Sequence, residues 1–440
     1  MRQIRGFEEA REALSKRRSG LGLMETTPVA EAKTREVFGR ALTPEEAVRE
    51  ILERVKIGGD RAVVEFTRLL DGVELSSGLE VSEGEWARAR SRVRRSVVRA
   101  LEEAAERVKA YQQAAMPKSW LDIKEGYGQM FIPMERVGVY IPGGTAAYPS
   151  TVIMTAIPAR IAGVKEIVLC TPSRGGQGPD AGVLAAAAIG GVDRVFQIGG
   201  PQAIAAMAFG TETVPRVDMV CGPGNIFVTL AKKQVYGAVA VDGLYGPTET
   251  VVIADGKADP AHCAADLLAQ AEHDWLASPI FITDTAELAV KVEQELSALL
   301  DKLPRREIAS QALERQGLMV VVDTLEEAVD LANIYAPEHL CLLVLDPWAL
   351  LAKVSNAGGV FLGTTTPEAI GDYMAGPSHV MPTGGTARFG SALSVLSFLK
   401  AVAVVALDRE KGKALTPSAA ALARYEGFVG HARAMEMRIG

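Results

Sequence analysis

The chain has 440 residues, 48% of them hydrophobic and 23% charged, which is enough for more than one globular core. Its net charge of −7 and its lack of any basic-aromatic stretch argue against a nucleic-acid partner. No run of about 18 apolar residues exists to span a membrane, no apolar stretch follows the charged N-terminus as a secretory signal would need, and four scattered cysteines (Cys170, Cys221, Cys263, Cys341) without a Cys-x-x-Cys pair read as buried thiols of a cytoplasmic protein.

Residues 1–130 read mainly as helix. Thr43-Pro-Glu-Glu46 supplies an N-cap, a proline at the first helical position and a capping-box acid. Ala47, Val48, Ile51, Leu52 and Val55 then recur at helical spacing. Residues 82–113 form one or two exposed, charged helices, with Arg94-Arg95 on a solvated face. Near residue 136 the texture changes. Strands are expected at 137–141, 166–170, 193–198 and 216–220, alternating with helices at 152–162, 179–189, 202–209 and 226–236. That alternation implies a parallel α/β layer.

A second alternating stretch follows, with strands at 250–254, 278–283, 318–322 and 339–345 and helices at 259–275 and 286–300. Residues 395–440 read as a helical tail. Two α/β layers of similar texture imply a duplicated architecture with a cleft, and the carboxyl ends of parallel strands are the usual place for ligands.

Four of the five histidines stand close to an acid or an amide, the arrangement used for metal binding and for proton transfer near neutral pH. Gln270 and His273, in Gln270-Ala-Glu-His-Asp274, share a face of the helix opened by Asp259 and Pro260. That face fits a metal, or simply a solvated helix end. Glu338 and His339, in Ala336-Pro-Glu-His-Leu340, join a helix to a strand and read as an acid and a base in one pocket, or as an exposed loop pair. Asp372 and His379 share a Gly/Pro-rich loop after the helix start Thr366-Pro-Glu368, where an isolated aspartate is ordinarily a cap or a surface acid. Glu426 and His431 are near the C-terminus, where a lone histidine is ordinarily exposed; His262, early in its helix, reads as solvated. Three Gly-rich turns, Pro142-Gly-Gly-Thr145, Gly199-Gly-Pro-Gln202 and Gly222-Pro-Gly-Asn225, each follow a strand and precede a helix, which favours a nucleotide phosphate. None is a Gly-x-Gly-x-x-Gly fingerprint or a P-loop.

Together these segments resemble the histidinol dehydrogenase family from about residue 30 to the C-terminus. The motifs that carry the resemblance are Tyr140-Ile-Pro-Gly-Gly, Tyr148-Pro-Ser-Thr, Gly200-Pro-Gln-Ala-Ile-Ala-Ala206, Cys221-Gly-Pro-Gly-Asn225, the Gln270 and Ala336 segments, Gly371-Asp372, Ser378-His-Val-Met-Pro-Thr383 and residues 426–431. The resemblance implies an NAD-dependent four-electron oxidation of L-histidinol through L-histidinal to L-histidine, the last steps of histidine biosynthesis, with two NAD molecules and one zinc ion per subunit. It implies Gln270, His273, Asp372 and His431 as zinc ligands, and Tyr140, Gln202 and Asn225 as NAD contacts. Glu338 and His339 would handle protons. The substrate pocket would comprise Ser150, Thr248, His379 and Glu426 together with Gln270, His273, His339, Asp372 and His431. It also implies a homodimer in which His431 enters the partner's site.

The implied fold is α/β, with two Rossmann-like parallel-sheet domains of similar topology plus small helical terminal segments. Its parts are an N-terminal helical segment (1–34), a discontinuous first α/β domain (35–139 with 248–393) carrying most metal and catalytic residues, an NAD-binding second α/β domain (140–247), and a helical tail (394–440) reaching the partner subunit.

The segment Leu244-Tyr-Gly-Pro-Thr-Glu-Thr250 departs from the family pattern. Thr248 stands where Ser is usual and Tyr245 where a smaller residue is common, while Ser378 and Met381 replace a frequent Asn and Leu. One added methyl group shifts selectivity by about 1–3 kcal/mol, so another small alcohol, such as a sulfonated propanediol, is the alternative substrate. Glu426 argues against an anionic one, since like charges repel. A zinc hydrolase or a non-catalytic binding protein is a third reading, which the three Gly-rich turns disfavour.

Overall fold

The structure is a computed structural model and describes residues 1–17, 28–75, 78–143, 146–173 and 175–438. Its strands, in chain order, begin with β1 (Arg2–Arg5), β2 (Trp120–Asp122), β3 (Tyr127–Pro133) and β4 (Arg136–Tyr140). β5 (Glu166–Cys170), β6 (Arg194–Phe196), β7 (Met219–Cys221), β8 (Ala240–Val241) and β9 (Glu249–Ala254) follow. The last are β10 (Ser278–Thr283), β11 (Leu318–Val321), β12 (His339–Leu343), β13 (Gly359–Leu362) and β14 (Leu399–Val405).

β4 to β8 form a parallel sheet in the order β6-β5-β4-β7-β8. β9 to β13 form a second parallel sheet in the order β11-β10-β9-β12-β13, with β1 added beside β11. The relative order is the same in both, so the expected pair of Rossmann-like sheets of similar topology is present. Side chains that alternate along a strand explain why the second sheet needs cover on both faces. Val252, Phe281, Met319 and Cys341 enter one core, while Val251, Ile253, Ile280, Val320 and Leu340 enter another. The first sheet packs its own core with the helices Pro44–Phe66 and Gly200–Phe209, including Val168, Phe196, Ile204 and Met207.

The chain divides into two compact units, residues 1–115 with 134–398, and residues 116–133 with 399–440. The first holds both parallel sheets. The second holds an antiparallel sheet in the order β14-β3-β2 and the helices Arg409–Tyr425 and Val429–Glu436. Among the described residues no helix is long and apolar enough to cross a membrane.

Several local expectations hold. Thr43 and Glu46 make a reciprocal capping box, and Asp259 caps its helix through Ala261 N at 2.8 Å. The described part of residues 1–130 is mainly helical, with β1, β2 and β3 added. Two expectations do not hold. The C-terminal tail opens on β14 rather than on a helix. β1 and β14 pair with partners distant in sequence, so no local turn signal announces them, whereas β2 and β3 form a local hairpin across residues 123–126; Leu399-Lys-Ala-Val-Ala-Val-Val405 is nonetheless rich in β-branched residues. The helix expected to reach residue 275 is Pro260–Ala271, so His273 lies in the turn just beyond it.

Candidate functional site

The expected proton-handling residues stand at the amino ends of the second sheet, not at the carboxyl ends where ligands usually bind such sheets. Thr248 immediately precedes β9 and Glu338 immediately precedes β12. These strands are parallel neighbours with Thr250 opposite His339, so their first residues emerge side by side. Ala336 makes the turn into this position. It is the one non-glycine residue with positive φ among those described, at 59°, and it ends the helix Leu325–Tyr335. A left-handed non-glycine is costly and concentrates at functional sites. The Thr248 hydroxyl lies 2.6 Å from Glu338 Oε2 and 2.8 Å from Gln270 Oε1, and Glu249 N donates to Glu338 Oε2 at 3.1 Å.

His339 is buried. Its Nε2 is 3.0 Å from Asp372 Oδ1, its Nδ1 is 3.6 Å from Glu338 Oε2, and its ring stacks on Phe361 with centroids 5.6 Å apart. Burial opposes the imidazolium, but the carboxylates of Glu338 and Asp372 outweigh it and raise the pKa of His339 well above the ordinary range. Asp372 sits in a π-helical turn, Gly371–Ala375. Gly371 is required there, because a Cβ would come within 2.1 Å of the Phe361 ring. His379 Nδ1 donates to the Asp372 carbonyl at 2.7 Å, which leaves Nε2 to accept from the Thr151 hydroxyl at 3.0 Å. Ser150, half-buried, precedes Thr151 at the start of the helix Pro149–Ala162. His273 is exposed. Desolvation by neighbouring protein lowers its pKa, against the pull of Asp372 and Glu338.

Two further buried carboxyls lie behind this row and escaped the sequence reading. Burial, then the charge of Glu338, raises Glu249 to about 8. Burial raises Glu368 to about 7. Glu368 Oε2 accepts the Thr250 hydroxyl at 2.7 Å and the Cys341 thiol at 3.4 Å, while Oε1 has no partner. In the sequence Glu368 marks a helix start; only the fold turns it inward.

The Gly-rich turns stand at the carboxyl ends of the first sheet, as expected. The Tyr140 hydroxyl, at the end of β4, accepts Gly200 N at 3.0 Å. Gly222 follows β7 with φ at +110°, and a Cβ there would come within 2.2 Å of the Tyr140 carbonyl. Asn225 caps the helix Ile226–Val235, its Oδ1 accepting Phe227 N at 3.0 Å and Val228 N at 3.2 Å. Gln202 is buried. Its Nε2 donates to Asp71 Oδ2 at 3.1 Å and its Oε1 has no partner. Gly144 and Thr145 of the first turn lie outside the described residues.

The fold therefore brings together Thr248, Gln270, Glu338, His339, Asp372 and His379. Glu426 and His431 lie in the second unit, both exposed, with the His431 ring 5.2 Å from that of Phe428. Among the described residues no three His, Cys, Asp or Glu side chains form a ready metal cage. Of the expected zinc donors, His273, Asp372 and Gln270 belong to the first unit, Gln270 buried with its Oε1 2.8 Å from the Thr248 hydroxyl, and His431 belongs to the second.

The profile of the histidinol dehydrogenase family matches residues 39–439. Histidinol dehydrogenase of Dehalococcoides mccartyi (strain CBDB1) is 47% identical over 441 residues, covering 100% of both chains. That of Moorella thermoacetica is 51% identical over 395 residues, covering 89% of this chain and 93% of its own. The crystal structure of histidinol dehydrogenase from Elizabethkingia anophelis superposes with a TM-score of 0.91 at 32% identity, covering 100% of this chain and 98% of its own.

Proposed function

The chain belongs to the histidinol dehydrogenase family, an oxidoreductase family, and from that membership we propose that it oxidises L-histidinol through L-histidinal to L-histidine in the cytoplasm. The strength of the likeness favours histidinol over another small alcohol such as a sulfonated propanediol. The observation that carries the reading is the row Thr248, Glu338, His339 and Asp372, an acid and an imidazole fixed together at the start of two adjacent strands.

Zinc, held by Gln270, His273, Asp372 and His431, would supply a Lewis acid that orients the alcohol, and NAD would supply the hydride acceptor. Tyr140, Gln202 and Asn225 contact the dinucleotide in this reading, and residues 140–247 are its domain. The orphaned Gln202 oxygen and the Gly222 turn, too tight for any side chain, support this. His339, in its neutral form, takes the proton of the substrate hydroxyl in the first oxidation; a cation held by Asp372 would offset the carboxylate charge that otherwise favours the imidazolium. Glu338 takes a proton from the water that adds to the aldehyde, and Thr248 and the Glu249 N–H hold its carboxylate in one orientation. Ser150 and His379 border the substrate, with Thr151 fixing the His379 ring.

Glu426 and His431 serve the site of a second copy of the chain. Their exposure, on a unit that includes the residue 399–440 tail, supports a homodimer with shared sites. Glu426 suits the ammonium group of the substrate. The test is NADH formation from L-histidinol against a panel of other alcohols. Two NADH per histidinol, abolished by chelation, is the expected result. Turnover of another alcohol with histidinol inert would overturn the substrate, and turnover insensitive to chelation would overturn the metal.

A further inference from the structure

Beneath the turn that follows β7 lies an ion pair that the proposed chemistry does not use. Lys232 is 1% exposed, and its Nζ stands 2.5 Å from Asp242 Oδ1. The Asp242 side chain has no exposed surface. Lys232 also donates to the Gly222 carbonyl at 3.0 Å, and Asp242 Oδ2 accepts Gly222 N at 2.8 Å. Both backbone polar groups of one glycine are thus held by the two members of one buried ion pair. This is the glycine whose missing side chain lets β4 and its Tyr140 carbonyl approach.

The pair also reaches the other side of the site. Asp242 Oδ1 accepts Gly243 N at 3.0 Å. The next residues form a strap. The Tyr245 ring covers the Lys232 ammonium at 4.6 Å and packs so closely on Gly243 that a Cβ there would come within 2.8 Å of it. The Tyr245 carbonyl accepts the Thr229 hydroxyl at 2.8 Å, and Gly246 N donates to the Thr383 hydroxyl at 2.6 Å. Two residues later Thr248 meets Glu338.

A buried ion pair is a poor device for stability alone, because apolar side chains of similar size do as well or better. Apolar side chains cannot, however, hold the N–H and the C=O of a glycine at once. We propose that Lys232 and Asp242, covered by the Tyr245 ring, are positioning residues that lock the Gly222–Asn225 turn and the residue 242–248 strap into one register, so that dinucleotide and alcohol are held at a fixed separation. This rests on the reading of that turn as part of the NAD site.

The decisive variant is the double substitution Lys232→Met with Asp242→Asn, which removes both charges and strands neither. Calorimetry with NAD, a thermal melt and steady-state kinetics are run on the zinc-loaded protein. A folded double variant is expected to bind NAD about tenfold or more weakly and to lose kcat, since small displacements of bound partners are costly. A folded double variant with the parent Kd and kcat overturns the proposal and leaves the pair a structural feature. Should the double variant not fold, Tyr245→Leu and Tyr245→Phe decide. Leu removes the ring and weakens NAD; Phe restores the ring and recovers the affinity. Equal affinities in both overturn the proposal. Failure of the parent protein itself to bind NAD is a different outcome, and it removes the reading of the turn on which the proposal rests.

Discussion

The two parallel sheets share a strand order but, in the function proposed above, present opposite rims to chemistry. The β4 to β8 sheet carries the Gly-rich turns Gly199-Gly-Pro-Gln202 and Gly222-Pro-Gly-Asn225 at its carboxyl rim, where Asp242 and Asp71 are engaged by Lys232, Gly222 N and Gln202. The β9 to β13 sheet carries Thr248, Glu338 and His339 at its amino rim. Its carboxyl rim is acidic. Asp255, Asp284, Asp323 and Asp346 follow its strands, and they line one depression together with Glu326. A pyrophosphate there would meet several carboxylates, each worth on the order of 1–4 kcal/mol of repulsion at about 4 Å. Topology alone therefore does not choose the binding rim. Glycine and charge do.

The amino rim is where the largest effects are expected. Glu338→Gln keeps the shape of the side chain and removes the base, so kcat for the complete oxidation should fall about 10²- to 10⁴-fold. Oxidation to the aldehyde, which relies on His339, should fall far less. Stopped-flow measurement of the two half-reactions separates them, and equal losses in both would take Glu338 out of water activation.

The carboxyl rim of the first sheet is tested by Gly222→Ala. Strain from the left-handed backbone and the clash with the Tyr140 carbonyl at 2.2 Å together cost about 1–3 kcal/mol. That cost should appear as weaker NAD binding, by roughly tenfold to a hundredfold at those energies, with the aldehyde hydration step little changed. Unaltered NAD affinity in a folded Gly222→Ala protein would place the dinucleotide elsewhere.

Much of this contrast is legible in the residues. Strand-helix alternation announces both sheets, because period-two and period-3.6 patterns are local. The Gly-rich turns and the Glu338-His339 pair are local as well. Two kinds of feature are not. β1 and β14 exist because distant segments pair, and no short-range pattern encodes a partner far along the chain, while the β2–β3 hairpin is local and extends only because β14 joins it. The roles of Glu249 and Glu368 depend on burial, which converts ordinary surface-type acids into high-pKa carboxyls. That Thr248 and Glu338 meet at the amino rim of the second sheet also emerges only when β9 and β12 are seen as neighbours.

Glu368 gives a smaller effect with a definite sign. Its carboxyl is raised from 4.5 to about 7, so the folded chain holds this proton more tightly than the unfolded chain. The resulting stability is complete below pH of about 4.5 and is lost as pH rises through about 7, an effect on the order of 1–3 kcal/mol. Glu368→Gln has no such proton to lose. Its melting temperature should therefore decline less than that of the parent between about pH 4.5 and pH 7. Parallel melting curves across that range would mean that Glu368 titrates normally despite its burial.

The smallest expected effect is at the acidic rim, and it bears on the contrast most directly. Asp284→Asn with Asp323→Asn removes two of the carboxylates that face the depression and leaves Asp255 and Asp346 to their backbone partners, Leu345 N at 2.7 Å and Ala349 N at 3.2 Å. If charge keeps a dinucleotide from this rim, the parent protein shows no NAD site there. The variant, still flanked by three acids and without a Gly-rich turn, gains none. NAD stoichiometry by calorimetry should then be the same in both proteins, and KM for NAD should agree within about twofold, as expected for surface changes remote from a site. A change of tenfold in that KM would mean that the second sheet also uses its carboxyl rim, and the division of labour between the two sheets would have to be redrawn.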